Sequence, residues 1–185
     1  MKLILTRHGE TEENKLGIMQ GHLPGTLSKE GIEQAKKLAV RLKDEKIDAI
    51  YCSDLTRAVT TSKEILKYHP HIPVVYLKDL REGDIGSYTG KFKDLLKPRE
   101  RPVDFESYDS MKKRAKTVID IAYKKYPTGT ILLIGHGGIN KAITSMLLNK
   151  NVDELETQEN TAINIFEITE DGNHLHLMNS VEHLK

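Results

Sequence analysis

The sequence predicts an α/β fold on a mixed, mostly parallel sheet, and three observations carry that prediction. Leu3-Ile4-Leu5-Thr6 and Ile131-Leu132-Leu133-Ile134 are apolar or β-branched throughout, as strands buried on both faces of a parallel sheet must be. Between the strand-like runs, apolar residues recur at helical spacing. Near the end, Asp171-Gly172-Asn173 marks a tight turn between two short strands, and such a hairpin makes the sheet mixed.

The first strand stops abruptly at Arg7-His8-Gly9. Arg7 and His8 therefore fall at a strand's C-terminal end, the edge where open α/β sheets bind ligands. Gly9 marks a turn where the backbone must pass something closely. Glu10 to Gly25 reads as a long polar loop carrying Asn14, Gln20 and Gly21, and long loops in compact domains are often functional. Ser28 is a good N-cap, and Ile32, Ala35, Leu38, Ala39 and Leu42 predict a helix from Ser28 to Asp44. Ile47 to Cys52 is a strand, and Ser53-Asp54 a turn and N-cap. Leu55, Ala58, Val59, Ser62, Ile65 and Leu66 make the next helix, which ends before Pro70. Arg57 lies in its first turn, where the helix dipole disfavours a cation, and that local conflict points to function.

Ile72 to Leu77 predicts a third strand, followed by Leu80-Arg81-Glu82-Gly83. Residues 86–107 are polar and irregular and predict a short lid or insertion in one domain spanning 1–185. It has one helical turn near Lys91–Leu96 and a set of cations, Lys91, Lys93, Lys97, Arg99 and Arg101, around the mouth. A helix over Ser107 to Tyr126 precedes the strand Thr130 to Ile134. That strand ends in Gly135-His136-Gly137-Gly138, which repeats the first strand's ending. A helix carrying Ile139, Ile143, Met146 and Leu147 follows. The hairpin strands are Thr161 to Ile168 and Leu175 to Met178.

Composition narrows the function classes. The 185 residues carry a formal net charge of +1, which gives no general attraction to nucleic acid or an anionic membrane. Any anion site must come from local placement of charge. Cys52 is the one cysteine, so no internal disulfide forms, as suits a reducing cytoplasm. No apolar run approaches the roughly 18–20 residues of a membrane span. No carboxylate cluster is spaced to hold Mg²⁺, and neither a metal nor an organic cofactor is expected. A homodimer is compatible with these features.

Strands separated by helices bring both His-Gly turns to one sheet edge. Two histidines, two arginines and an acid at one rim suit phosphoryl chemistry. Guanidinium matches phosphate oxygens with paired hydrogen bonds. A neutral imidazole can attack phosphorus, preorganised donors stabilise the charge on the transferring group, and a carboxylic acid can protonate the leaving alkoxide.

At this point the chain resembles a known family. Thr6-Arg7-His8-Gly9-Glu10-Thr11 is similar to the Arg-His-Gly signature of the histidine phosphatase superfamily, which includes cofactor-dependent phosphoglycerate mutases. The resemblance continues through Asn14, Gln20-Gly21, Leu27-Ser28, Gly31, Gln34-Ala35, Tyr51-Cys52-Ser53-Asp54-Leu55, Arg57-Ala58, Leu80-Arg81-Glu82 and Gly135-His136-Gly137. It implies a three-layer α/β/α sandwich and no metal, with the positive charge of Arg7, Arg57 and a protonated His136 expected to do what Mg²⁺ does elsewhere. By the same resemblance His8 is the nucleophile that becomes phosphohistidine, and Arg7, Arg57 and His136 hold the phosphoryl group. Glu82 is then the proton donor and later the base for water, while Asn14, Gln20, Gly21 and the Gly137 N–H line the pocket.

The segment between Glu82 and His136 is shorter than in the mutases, which resembles the small phosphatase branch. The expected function is hydrolysis of a small phosphorylated metabolite, with mutase transfer or non-catalytic phosphate binding as alternatives. Two departures stand out. Cys52 replaces a frequent Ser and reads as a small buried strand residue. Asn140 replaces a frequent Arg and is placed towards the pocket's back or the sheet. Cys52 to Arg57 is one residue short of a cysteine-phosphatase loop and lacks its glycines. His69 with His71 and His174 with His176 read as surface histidines, not as metal ligands.

Overall fold

The computed structural model describes residues 1–95 and 102–185. Its main elements in chain order are β1 (Lys2–Arg7), α1 (Glu12–Lys15), α2 (Lys29–Leu42), β2 (Ala49–Ser53), α3 (Thr56–Leu66), β3 (Val74–Leu77), α4 (Tyr108–Lys125), β4 (Thr130–Gly135), α5 (Gly137–Leu148), β5 (Ile163–Thr169) and β6 (Gly172–Ser180). The strands form a six-stranded sheet in the order β3-β2-β4-β1-β5-β6. β4 lies parallel to β1 and β2, β3 lies parallel to β2, and β5 and β6 run antiparallel. The sheet is therefore mixed through one C-terminal hairpin, as the sequence predicts.

The continuous apolar runs still alternate between faces, because successive strand side chains point to opposite sides. Leu3 and Leu5 pack with Ile131 and Leu133 against Met111, Val118 and Ile119 of α4 and Ile139 and Ile143 of α5. Ile4, Leu132 and Ile134 face the other way, onto Leu38 and Leu42 of α2 and Ala58 and Ile65 of α3. Helices thus cover both faces, which gives three layers. Leu3, Ile4 and Leu5 are fully buried, each contributing about 1.5–3 kcal/mol.

This layering positions the site. Arg7 pairs with Gly135 in register, so His8 and His136 both lie just past the ends of adjacent parallel strands. After β1 the chain crosses to the α2 layer, and after β4 to the α5 layer. The sheet therefore has its topological switch at these two strand ends, and a crevice opens there.

Several local expectations are corrected. The polar loop after Gly9 contains a helical turn, α1, with Thr11 and Asn14 forming a reciprocal capping box. α2 begins after Ser28, whose hydroxyl accepts the Gly31 N–H at 3.0 Å, and ends at Leu42, short of Asp44; Ile32 faces solvent. Asp54 does not cap α3. The N-cap is Leu55, with no side-chain bond, and Asp54 instead takes Arg81 in a paired ion contact at 2.6 and 2.7 Å. Thr161 stands outside β5 with a φ of 57°. In the predicted lid, short 3-10 turns occur at Gly86–Tyr88 and Lys93–Leu95, and Leu96, Lys97, Arg99 and Arg101 lie outside the described residues.

Candidate active site

Gly9 lets the turn after β1 press against α2. A Cβ on Gly9 would stand 2.4 Å from the Gly31 carbonyl oxygen, and one on Gly31 would stand 1.9 Å from that of Glu10. The backbone does pass something closely there, as the sequence predicts. The same turn fixes His8. Its Nδ1 is 2.7 Å from the Gly9 carbonyl oxygen, so Nδ1 carries the proton and Nε2 keeps its lone pair.

Arg57 links the two His-Gly turns. Its Nε–H lies 3.2 Å from His8 Nε2 and 3.1 Å from His136 Nδ1. Its terminal nitrogens donate to the carbonyls of Gly21, at 2.9 Å, Leu23 and Pro24. The cation that the α3 dipole disfavours is thereby stabilised by carbonyls of the preceding loop. Burial still pulls the Arg57 guanidinium down to about 10, so it remains charged at neutral pH.

His8 and His136 are both buried, with ring centroids 5.1 Å apart. Burial first, then the charges of Arg57 and Arg7, hold His8 well below the ordinary imidazole range. Burial, Arg57, His8 and Arg7 do the same for His136, whose Nε2 is 2.7 Å from Ser53 Oγ. Both rings are neutral at physiological pH. This is a correction for His136, whose protonated form was expected to add positive charge.

Arg7 donates to the Gln158 carbonyl at 2.8 Å, while its Nε–H is buried with no partner among the described residues. The Glu82 carboxyl oxygens accept the N–H groups of Gly138 and Ile139, each at 3.0 Å, and of Gly83 at 2.9 Å. The first turn of α5 thus anchors it with otherwise unpaired donors. Arg7, His8, Asn14, Gln20, Gly21, Arg57, Glu82 and Gly137 line one cleft of about 440 Å³. His136 stands behind it, touching the cleft through Arg57. Of the lid cations, Lys93 lines the cleft and Lys91 lies over the Tyr88 ring at 5.9 Å, while Lys97, Arg99 and Arg101 lie outside the described residues.

Sequence reasoning missed other parts of this wall. Thr157 and Asn160 line it from the loop before β5, and Asn160 donates to the His8 carbonyl at 2.9 Å. No spacing signals them, because they arrive through the antiparallel pairing of β5 with β1. Ser53 could have been found, since it ends the strand next to β4 in register. Ile18, Met19, Ile85, Phe105 and Tyr108 form an apolar side.

Asn140 is buried away from this cleft, donating to the Thr6 carbonyl at 3.0 Å and to Gln158 Oε1 at 2.7 Å, so it does face the sheet. Cys52 is also fully buried, and burial pushes its thiol far up. His69 is spent on the Leu42 carbonyl and His176 on Glu167. Among the described residues no group of three or more His, Cys, Asp or Glu is arranged to hold a metal ion, and no helix is long and apolar enough to cross a membrane.

This arrangement has known counterparts. A probable phosphatase of Schizosaccharomyces pombe is 30% identical, with 100% of this chain and 96% of that protein covered. The structure of Bacillus stearothermophilus YhfR superposes with a TM-score of 0.92 at 25% identity, over 100% of this chain and 99% of that one. An Entamoeba histolytica phosphoserine phosphatase mutant in complex with phosphoserine superposes with a TM-score of 0.87 at 28% identity, over 100% and 99%. Residues 3–181 match the histidine phosphatase superfamily (branch 1). With the fold, the paired His-Gly turns and a match over nearly the whole chain in agreement, the protein belongs to the histidine phosphatase superfamily.

Proposed function

We propose that the protein is a metal-independent phosphomonoester hydrolase that works through a phosphohistidine on His8. One observation carries this reading. An imidazole with its Nε2 lone pair free of a proton lies in a cleft that also holds two guanidinium groups and a carboxyl group.

In the proposed reaction the His8 Nε2 lone pair attacks phosphorus and the bond to the alcohol oxygen breaks. Glu82 gives its proton to the departing alkoxide. Arg7 and Arg57 stabilise the charge on the transferring group, and His136 orients Arg57 through its Nε–H. Water then attacks phosphorus, the P–N bond breaks, and the Glu82 carboxylate takes the water proton. Phosphate leaves, and His8 returns to its starting state.

The substrate is a small phosphorylated metabolite held partly by Asn14, Gln20, Gly21 and Gly137. Lys93 suits a second negative group, and the phosphoserine bound by the Entamoeba relative supports such a ligand. The chain 1–185 forms one domain, and the described residues of the 86–107 segment act as a short lid or insertion. In support, the Gly90 N–H donates to the Met19 carbonyl and the Lys93 N–H to that of Gly17, both at 2.8 Å. The lone thiol of Cys52 supports a cytoplasmic setting.

The test is rapid acid quench during turnover of p-nitrophenyl phosphate. Its good leaving group makes hydrolysis of the phosphoenzyme limiting, so acid-labile label accumulates on His8. His8→Ala removes both label and activity. Retained turnover in His8→Ala would overturn the reading. Interconversion of 3- and 2-phosphoglycerate faster than phosphate release, after priming with 2,3-bisphosphoglycerate, would show a mutase instead.

A further inference from the structure

Glu82 sits on an irregular segment, and no strand or α-helix holds its backbone. A proton donor displaced by about 1 Å can lose about a hundredfold in rate. Something outside the cleft must therefore hold this segment still. Besides His22, whose Nε2 lies 2.9 Å from the Glu82 carbonyl oxygen, one side chain outside the cleft donates to three carbonyls of this segment.

Arg114 projects from α4. A guanidinium has five N–H donors in a fixed fork, and here each has a partner. The Nη1 nitrogen donates to the carbonyls of Asp79 at 2.6 Å and Arg81 at 2.8 Å. The Nη2 nitrogen donates to the Glu82 carbonyl at 3.1 Å and to Glu106 Oε2 at 2.9 Å. The Nε nitrogen donates to Glu106 Oε1 at 2.9 Å. Glu106 in turn accepts the Asp84 N–H at 3.1 Å and the Ser110 hydroxyl at 2.8 Å. The Glu106 N–H donates back to the Asp84 carbonyl at 2.7 Å. The Arg114 and Glu106 side chains are only 17% and 15% exposed, so water competes weakly for these bonds.

We infer that Arg114, locked by Glu106, is a positioning residue for Glu82, setting the distance between its carboxyl group and the leaving oxygen. This rests on the proposed role of Glu82 as the proton donor. Neither Arg114 nor Glu106 lines the cleft. They act on the backbone on both sides of Glu82, while the N–H groups of Gly138 and Ile139 hold its carboxyl group from the other side. The carboxyl group is suspended between α4 and α5, and loosening the α4 side lets it drift from the substrate.

The readout is the leaving-group dependence of kcat/KM, which covers only steps up to departure of the alcohol. An alkyl phosphate needs protonation of its leaving oxygen, whereas 2,4-dinitrophenyl phosphate does not. Their ratio also cancels any fraction of misfolded protein, which lowers both rates equally. Glu82→Gln is expected to lower kcat/KM for phosphoserine by about 10²–10⁴ and to leave the dinitrophenyl ester within about threefold. Arg114→Gln is expected to show the same bias at about tenfold or more on phosphoserine. Glu106→Gln and Arg114→Lys should fall between it and the wild type, because each keeps some of the carbonyl contacts.

Equal losses on both esters in every Arg114 and Glu106 variant would overturn the positioning role while Glu82→Gln keeps its bias. Absence of the bias in Glu82→Gln itself would instead remove the proton-donor reading on which the inference rests. Should Arg114→Gln fail to fold, Arg114→Lys and Glu106→Gln decide the question by the same ratio.

Discussion

The two buried histidines should make the fold acid-sensitive in a window of their own. Unfolded, each imidazole titrates near about 6.5. Folded, burial and the Arg57 and Arg7 charges hold both His8 and His136 well below that. Below pH 6.5 the unfolded chain therefore binds more protons than the folded one, and stability falls as the pH falls. Between pH 8 and 5.5 each such group costs about 1.4 kcal/mol, or about 3 kcal/mol for the pair. Glu45, Asp54 and Glu106 are also titrated low by their partners, but their losses begin nearer pH 4.5 and stay outside this window. His183, lowered by partial burial, adds a smaller share common to all variants. The assay is urea unfolding at the two pH values in a buffer without phosphate, for wild type, His8→Gln and His136→Gln. The wild type should lose about 3 kcal/mol. Because both rings accept the same Arg57 N–H, removing one relieves the other, and each variant should keep at most about half of that loss. A His8→Gln protein that keeps the whole wild-type difference would refute the claim that His8 is held neutral by its surroundings. The same neutrality would keep His8 nucleophilic well into mildly acidic buffer.

Three further outcomes are expected. Cys52→Ser should keep activity within a few-fold, and iodoacetamide should leave the folded protein active, because the thiol is buried and pushed far above its ordinary range; loss beyond about a hundredfold, with the fold intact, would revive a thiolate mechanism. Lys93→Ala should raise KM for phosphoserine more than it lowers kcat, the mark of uniform binding, and should spare p-nitrophenyl phosphate; an equal effect on both would remove Lys93 from substrate choice. Activity should survive EDTA, since two guanidinium groups line the cleft to stabilise transferring charge; loss that Mg²⁺ restores would contradict it.

Much of the fold was legible because burial on both faces leaves a plain mark. The runs Leu3–Leu5 and Ile131–Ile134 admit few alternatives, and the structure adds the register, with Arg7 opposite Gly135. Boundaries were less legible where tertiary bonds replaced local caps. Asp54 looks like an N-cap by type, yet the Arg81 guanidinium offers it two charge-assisted bonds, and α3 begins uncapped. Thr11 and Asn14 formed a capping box that the Thr-x-x-Asn pattern barely announces, since Glu or Gln is the usual partner. The protonation of His136 was misread because spacing shows which charges are near but not that the ring is wholly desolvated. Asn160 and Arg114 were invisible for a related reason: each donates to backbone carbonyls far away in the chain, and Thr157 reaches the cleft from the loop before β5.

Arg57 shows how one sequence-level conflict is resolved in three dimensions. A cation in the first turn of a helix is opposed by the dipole, and a buried cation is opposed by desolvation. The carbonyls of Gly21, Leu23 and Pro24 answer both, but only if the loop folds tightly back over α3. That demands backbone shapes most residues resist. Gly21 and Gly25 adopt φ of 49° and 68°. A Cβ on Gly25 would stand 2.3 Å from Gln20 Oε1 and 3.0 Å from Arg57 Cδ. The loop glycines are thus part of the charge arrangement, because they let neutral carbonyl dipoles, and not a carboxylate, take the guanidinium's hydrogen bonds. A carboxylate in their place would hold Arg57 more strongly but would neutralise the charge that a phosphoryl group is expected to meet. Carbonyl oxygens fix the guanidinium and leave its net charge directed at the cleft, ready for an anion without reorganisation.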